Sequence, residues 1–203
     1  VINNRKLPKI FDANDKLNVY RAAKISEEFD LEFVIKGSGK EYENVRELKK
    51  FNNKLIIPVN FPNAFDVSNA KLNEKLTINQ LRYWNQAPAN LGILEKNGII
   101  FSITSADLRN KRDFLKNIRK AIKNGLSEKT ALNALTIIPA RSIGLEDKIG
   151  SLKNNFLANF LITTGPIFDD KTEIIENWVK GERHVIKNTD KINVDGDYLI
   201  CLL

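Results

Sequence analysis

Histidine, cysteine and methionine are almost missing from the 203 residues: His184 and Cys201 are single, and there is no methionine. One cysteine excludes a disulfide within the chain and fits a reducing compartment. One imidazole and one thiol leave almost no donors for a zinc or iron site built from such groups. Because the sequence begins at Val1 and lacks methionine, we expect a processed product or a piece of a longer chain.

Long apolar runs and targeting signals are also lacking. No segment approaches the ~20 apolar residues that a membrane-spanning helix needs. The first residues do not show the charged and then apolar pattern of a secretory signal. We therefore expect no membrane partner. The sequence assigns no compartment, since a signal upstream of Val1 lies outside it.

Positive charge exceeds negative charge, with 32 Lys and Arg against 25 Asp and Glu and a net charge of +7. Apolar residues at helical spacing accompany the one dense basic cluster, so it is interpreted as the solvent-facing side of an amphipathic helix. Nucleic acid is therefore not the expected partner, and nucleic-acid binding ranks behind the two hypotheses given at the end of this subsection. The basic cluster comprises Arg109, Lys111, Arg112, Lys116, Arg119, Lys120 and Lys123.

Short apolar strands alternate with helices over the first 125 residues. Such strands, separated by helices, are typical of a parallel sheet covered on both faces. A closed eight-stranded barrel needs about 250 residues, so the chain could supply the last four strand-helix units of one. An open four-stranded sheet is the alternative. Asn14 or Asp15 is the predicted cap of a first helix that extends to about Phe29. Strands are predicted at 8–12, 31–36, 54–59 and 99–104, with further helices at 41–51, around Leu81, at 88–96 and up to Lys123.

The pattern changes after Gly125. Ser127 is a helix cap candidate, and from Ile149 onward short strands bounded by turns predict a small β-sandwich. We therefore expect half of an α/β barrel over residues 1–147 and a β-sandwich segment over 148–203. The strands are predicted at 157–163, 173–179, 182–186 and 198–203.

Several motifs in linked order, between Gly98 and His184, resemble the end of the metal-dependent amidohydrolases, in particular the imidazolonepropionase-like branch. That family has a Gly-Leu-Ser-x-x-x-Ala-Leu helix and a Thr-x-x-Pro-Ala turn after its last barrel strand. An Ile-Gly-Ser-Leu segment and an Ala-Asp-Leu strand then lead into its sandwich. The matching segments here are 125–132, 136–140, 149–152, Leu157-Ala-Asn-Phe-Leu-Ile162 and Trp178-Val-Lys-Gly181.

The resemblance implies a hydrolase of C–N bonds other than peptide bonds that uses zinc or another divalent metal. In such enzymes the ion lowers the pKa of bound water to about 7. At the family's metal-binding positions, Asp12 and Lys36 stand in place of two histidines and Ser105 in place of an aspartate. Because an ammonium repels a cation and a serine is a poor substitute for a carboxylate, we expect no metal cofactor in this chain.

Further candidates lie near the predicted strand ends. The loop after the third strand carries Asn60, Phe61 and Phe65 as candidate pocket residues. They have two interpretations, the rim of a pocket or a seal over a cavity that has lost its metal. Asp107 has two interpretations: the favoured one is a cap of the basic helix, and the other is a carboxylate supplied to the pocket. For Lys36 and Gly37-Ser-Gly39 an ordinary surface turn is favoured over an anion site.

Two hypotheses about function follow. The first is a fragment of an amidohydrolase-like enzyme whose activity is carried by upstream or tandem segments. The alternative is a non-catalytic binding or assembly module of the same fold. Because half a barrel exposes strand edges, the expected partner is the missing N-terminal half of the same protein or a second copy of this chain.

Overall fold

The computed structural model describes residues 7–50, 54–65, 68 and 76–188. The chain divides into two compact units, of which the first ends at Ala131 and the second begins at Leu132. The division at residue 131 is one of compactness, whereas the predicted boundary at residue 147 separates a barrel segment from a sandwich segment. That boundary stays a prediction. The predicted strand at 198–203 lies outside the described residues.

A parallel sheet forms the centre of the first unit, with its four strands in the order β1-β2-β3-β4. The strands are β1 (Lys9–Asp12), β2 (Phe33–Lys36), β3 (Lys54–Pro58) and β4 (Phe101–Thr104). All four predicted strands of this part are confirmed, and so is the parallel arrangement. Four parallel strands fit either half of a barrel or an open sheet, so the closed barrel stays a prediction.

Helix α1 (Lys16–Glu28) begins where the sequence predicts a cap. The Asp15 carboxylate accepts a hydrogen bond from the Asn18 backbone N–H at 2.9 Å, which satisfies one of the free donors of the first turn. Val19, Ala22 and Ala23 form its buried face. The spacing of these three residues is that of an amphipathic helix packed on a sheet.

The helix predicted at 41–51 is wrong in its extent. A 3-10 turn occupies Glu41–Glu43, and a single helical turn, α2, follows at Val45–Leu48. The side chain of Glu41 is buried and binds backbone N–H groups of the preceding loop. Because the Glu41 side chain accepts hydrogen bonds from the residues just before it, the segment starts as a tight turn instead of a continuous helix.

The remaining helices of this unit are close to their predicted positions. A hydrogen-bonded capping box between Thr77 and Gln80 starts the first of them, α3. Ser127 caps the last, α6, by accepting a hydrogen bond from the Thr130 N–H, as predicted. These helices are α3 (Ile78–Gln86), α4 (Asn90–Lys96), α5 (Phe114–Lys123) and α6 (Glu128–Leu135), the last of which continues into the second unit.

Strand and helix residues share the apolar core of the first unit. The sheet and helices α4 and α5 all contribute fully buried side chains to it. The largest of these side chains are Ile35, Ile57, Leu91, Leu94, Phe101 and Ile118.

The second unit contains helix α7 (Ile137–Ser142) and an antiparallel sheet of β5 (Phe160–Thr163), β6 (Ile174–Val179) and β7 (Glu182–Val185). Lys180 and Gly181 form the predicted hairpin turn, both at positive φ. Trp178 on β6 stacks on Phe160 at a ring-centroid distance of 5.3 Å. Within residues 132–188 the structure describes one three-stranded sheet, so the sandwich stays a prediction.

His184 lies on strand β7, all four residues of which are exposed. Among the described helices, none combines the length and the apolar character needed to cross a bilayer.

Gly92 marks the closest approach between α4 and the loop after α5. A Cβ atom at this position would lie 2.6 Å from the Gly125 carbonyl carbon and 2.8 Å from its oxygen. We expect Gly92→Ala to destabilise the chain by about 1–3 kcal/mol because backbone atoms must move, even though alanine favours helix by up to ~1 kcal/mol. Urea denaturation followed by circular dichroism measures the change.

Asn85→Ala is the matched control because Asn85 is exposed on α3 and gains helix propensity without a clash. It should shift the unfolding free energy by no more than about 0.5 kcal/mol. Equal stability of Gly92→Ala and the natural chain would contradict the close packing at Gly92.

Candidate functional site

Three charged side chains meet at the carboxyl end of the parallel sheet. Asp12 and Lys36 are the last residues of β1 and β2 and are paired in register. The Lys36 Nζ atom lies 3.1 Å from Asp12 Oδ1 and 2.9 Å from Asp107 Oδ2. We call these three residues the Lys36 cluster. The Lys36 side chain is only 14% exposed, whereas both carboxylates are about half exposed.

Asp107 reaches the cluster from a tight turn after β4. Its φ of 65° is in the left-handed region, which aspartate tolerates better than most residues. The favoured interpretation of Asp107 as a helix cap is wrong. The turn that precedes α5 is capped by Asn110, whose side chain accepts a hydrogen bond from the Arg112 N–H at 3.1 Å. The other interpretation, a carboxylate supplied to this end of the sheet, agrees with its contact with Lys36.

Ser105 follows β4 directly but does not join the cluster by any hydrogen bond that the described residues contain. Its backbone carbonyl accepts hydrogen bonds from the Lys111 ammonium and the Leu108 N–H. The structure therefore brings two of the three positions, Asp12 and Lys36, into contact, and adds Asp107 to them.

The two carboxylates keep Lys36 charged. Burial by itself lowers the pKa of Lys36, but the hydrogen bonds and charges of Asp107 and Asp12 outweigh this effect and raise the pKa above its ordinary value. The cluster thus contains an ammonium ion throughout the physiological pH range.

This donor set does not fit a divalent metal ion. The carboxylate oxygens nearest the centre already bind a covalently attached cation, and a second cation there would be repelled. In the part of the chain that the structure describes, no three His, Cys, Asp or Glu side chains are grouped so that they could hold a metal.

The loop after β3 is fixed by two helices. The Asn117 side chain on α5 donates to the Val59 carbonyl at 2.7 Å, and the Tyr83 hydroxyl on α3 donates to the Asn60 carbonyl at 3.4 Å. Lys120 lies over the ring of Phe61, 5.8 Å from its centroid. The predicted role of Asn60, Phe61 and Phe65 as a pocket rim is not tested by these contacts and stays a prediction.

Glu41 is a structural determinant that the sequence reasoning missed. Its Oε1 atom accepts hydrogen bonds from the N–H groups of Ser38 at 2.6 Å and Gly39 at 3.0 Å. Its Oε2 atom accepts one from the Asn90 side chain at 2.8 Å, and Asn90 in turn accepts from the Tyr42 N–H. An acidic residue two positions after the Gly37-Ser-Gly39 segment was the available signal.

The Glu41 carboxylate also decides between the two interpretations of the Gly37-Ser-Gly39 segment. The N–H groups of Ser38 and Gly39, which an external anion would need, already donate to this internal carboxylate. The turn is therefore structural. It is not the surface turn of the favoured interpretation, however, because Gly37 and Gly39 are buried.

Comparison with known families gives one match. Residues 63–192 match the family model described as the amidohydrolase family. No curated protein matches the chain.

Solved structures of amidohydrolases are similar in fold. An amidohydrolase from Thermotoga maritima MSB8 has a TM-score of 0.68 and 21% sequence identity, over 90% of this chain and 44% of that chain. A Xaa-Pro dipeptidase with methionine bound in its active site has a TM-score of 0.62 and 14% identity, over 87% of this chain and 44% of that chain. A prolidase complexed with N-methylphosphonate-L-proline has a TM-score of 0.60 and 11% identity, over 87% of this chain and 44% of that chain. This chain therefore spans less than half the length of these similar structures, and at such identities they show the fold alone.

Replacement of Lys36 by methionine tests the electrostatic role of its ammonium. Because the Lys36 pKa is raised in the folded state, its stabilising effect is complete below the ordinary lysine pKa and is lost as pH rises through the folded value. We expect Lys36→Met to lower the unfolding free energy by about 1–2 kcal/mol near neutral pH, a value reduced for the half-exposed carboxylates. Urea denaturation should show this difference shrinking as pH rises above 10.5, the ordinary pKa of a lysine.

Lys54→Met is the matched control, since Lys54 on β3 pairs only at 3.8 Å with the almost fully exposed Glu32. Its effect should stay below about 1 kcal/mol at every pH. A Lys36→Met penalty equal to that of the control, or one that does not depend on alkaline pH, would contradict the role of the ammonium.

Proposed function

Because the chain belongs to the amidohydrolase family, we propose that it is part of a hydrolase of C–N bonds other than peptide bonds, and that this segment carries no working metal site. The observation that carries the second part is the Lys36 ammonium, held between Asp12 and Asp107. The resemblance of residues 125–152 to the imidazolonepropionase-like branch supports the choice of substrate class.

The Lys36 ammonium supplies the positive charge of a metal ion but not its Lewis acidity. It neutralises carboxylates that converge at the strand ends, so that this end of the sheet needs no bound cation. It does not act as a Lewis acid, and so it does not lower the pKa of a bound water to the neutral range. Without hydroxide formed in this way, the residues of the cluster supply no nucleophile of the family's kind.

The reaction of the whole protein is therefore assigned to segments outside this chain. The similar solved structures are about twice as long as this chain, which leaves room for a second set of strands that carries metal ligands. In this proposal the present chain supplies packing surface and part of the substrate environment.

Zinc uptake tests the proposal directly. The natural chain, incubated with zinc and then dialysed, should retain well under about one zinc per chain by elemental analysis, because the ammonium occupies the carboxylates. A variant with Asp12→His, Lys36→His and Ser105→Asp supplies ligands of the family's type at the three positions and should retain about one zinc per chain.

Lys54→His is the control, because it adds a histidine at the beginning of β3, the opposite end of the parallel sheet. If circular dichroism shows that the triple variant does not fold, the zinc retained by the single variant Lys36→His is compared with that of the natural chain instead. Near-stoichiometric zinc in the natural chain would overturn the assignment of a non-working site.

A second candidate function, assembly, is favoured by the edge of the parallel sheet. In the described sheet β1 pairs on one side only, with β2. Its residue Ile10 is 62% exposed, and Leu7 just before it is 53% exposed. An apolar edge strand is a site for pairing with another strand, whether from the rest of the protein or from a second copy.

Sedimentation velocity tests this assembly surface. The natural chain should self-associate when purified alone, and Ile10→Lys should shift it toward monomer because a charge at an edge strand opposes pairing. Ile78→Lys is the matched control, since Ile78 is 65% exposed but lies on helix α3. A natural chain that is monomeric at all concentrations, or an equal effect of both substitutions, would contradict an interface at β1.

A further inference from the structure

A cleft of about 770 Å³ opens between the start of α1, the segment 38–44 and helix α3. This volume is in the range of small-molecule sites. Its lining does not include the positions discussed above, namely Asp12, Lys36, Ser105 and Asp107. A ligand bound in this cleft therefore does not depend on whether the Lys36 cluster holds a metal ion.

Helix α3 turns a polar face toward this cleft. Asn79, Arg82, Tyr83 and Gln86 all line it and follow one another at the spacing of a single helix face. In most helices such a face is apolar and packs on a core. Here α3 has no buried residue, so hydrogen-bonding groups face the cleft instead.

Helix α1 contributes to the opposite wall. Lys16 and Tyr20 lie one turn apart on α1 and both line the cleft. Tyr42 comes from the segment after β2, so that three tyrosine rings, including Tyr83, contribute to the lining. Tyrosine offers an apolar ring and a polar hydroxyl in one side chain, which suits ligands that have both kinds of surface.

The acidic groups of the lining are engaged within the protein. Asp15 caps α1 by accepting two hydrogen bonds from Asn18. Glu41 is buried and binds the backbone of its own loop. Glu43 interacts with its neighbour Tyr42. Burial is the largest cause of the raised pKa of Tyr42, and the negative charge of Glu43 raises it further.

The basic groups of the lining are less engaged. Lys40 lies over the Tyr83 ring, 4.5 Å from its centroid. Lys16 and Arg82 are exposed and form no ion pair within the ranges that the structure describes. Two cations on facing helices are thus available to an anionic group, and arginine binds carboxylate and phosphate groups through paired hydrogen bonds.

We propose that this cleft binds a sugar that carries a carboxylate or a phosphate. Arg82 and Lys16 bind the anionic group. The tyrosine rings pack on the C–H faces of the sugar, and amide side chains such as Asn79 and Gln86 bind its hydroxyl groups. A sugar is favoured over an apolar organic anion because amide and hydroxyl groups make up so much of the lining.

Isothermal titration calorimetry on the full chain tests the proposal with four probes: glucuronate, glucose 6-phosphate, glucose and inorganic phosphate. We expect glucuronate, glucose 6-phosphate or both to bind at least about tenfold more tightly than glucose and than inorganic phosphate. A preference for one of the two acids identifies the anionic group as a carboxylate or a phosphate.

The double variant Lys16→Gln and Arg82→Gln should lose about tenfold or more in affinity for the acidic sugar. The double variant Arg112→Gln and Lys116→Gln removes the same charge from exposed positions outside the cleft and should bind as the natural chain does. Thermal denaturation checks that both variants are folded.

Three results would overturn the proposal. The first is no binding of either acidic sugar at millimolar concentration. The second is equal affinity for inorganic phosphate and glucose 6-phosphate with no binding of glucuronate, because the ring would then contribute nothing. The third is an equal loss of affinity in the two double variants, which would indicate an unspecific effect of net charge.

Discussion

The contact on which this end of the sheet depends is the one between the Lys36 ammonium and the carboxylates of Asp12 and Asp107. These residues come from two adjacent strands and from the turn after β4. Two carboxylates so placed would repel each other and would have to be solvated or bound to a cation. The chain supplies that cation itself, from a residue whose side chain is largely buried.

A second carboxylate, that of Glu41, fixes the loop that leaves β2. It accepts hydrogen bonds from two consecutive backbone N–H groups and from Asn90, at the start of α4. A buried carboxylate is tolerated only when such donors surround it. The loop next to Lys36 is therefore held from the inside, and the same segment forms one wall of the cleft beside α3.

The fold of this chain does not by itself determine its activity. Membership of the amidohydrolase family and the similarity to longer solved structures establish the fold relationship. The chemistry of the family depends on a few side chains at strand ends, and in our proposal Asp12, Lys36 and Ser105 stand at those positions. Since a fold can keep its packing while its site changes, the residues at the strand ends decide the function.

The sequence alone determined the local elements and the family. Apolar runs and helical spacing predicted all four parallel strands, a cap at Asn14 or Asp15, the cap at Ser127 and the turn at Lys180-Gly181, because each depends on residues close together in the chain. The motifs after Gly125 indicated the amidohydrolase family for the same reason.

Only the tertiary structure decided what the charged residues do. Asp107 was interpreted as a helix cap from its position, whereas the register of β1 and β2 and the turn after β4 direct it to Lys36. The bonds of Glu41 to its loop and to Asn90 likewise join segments that no local pattern connects. A side chain's partner depends on which strands become neighbours, and local periodicity contains no such information.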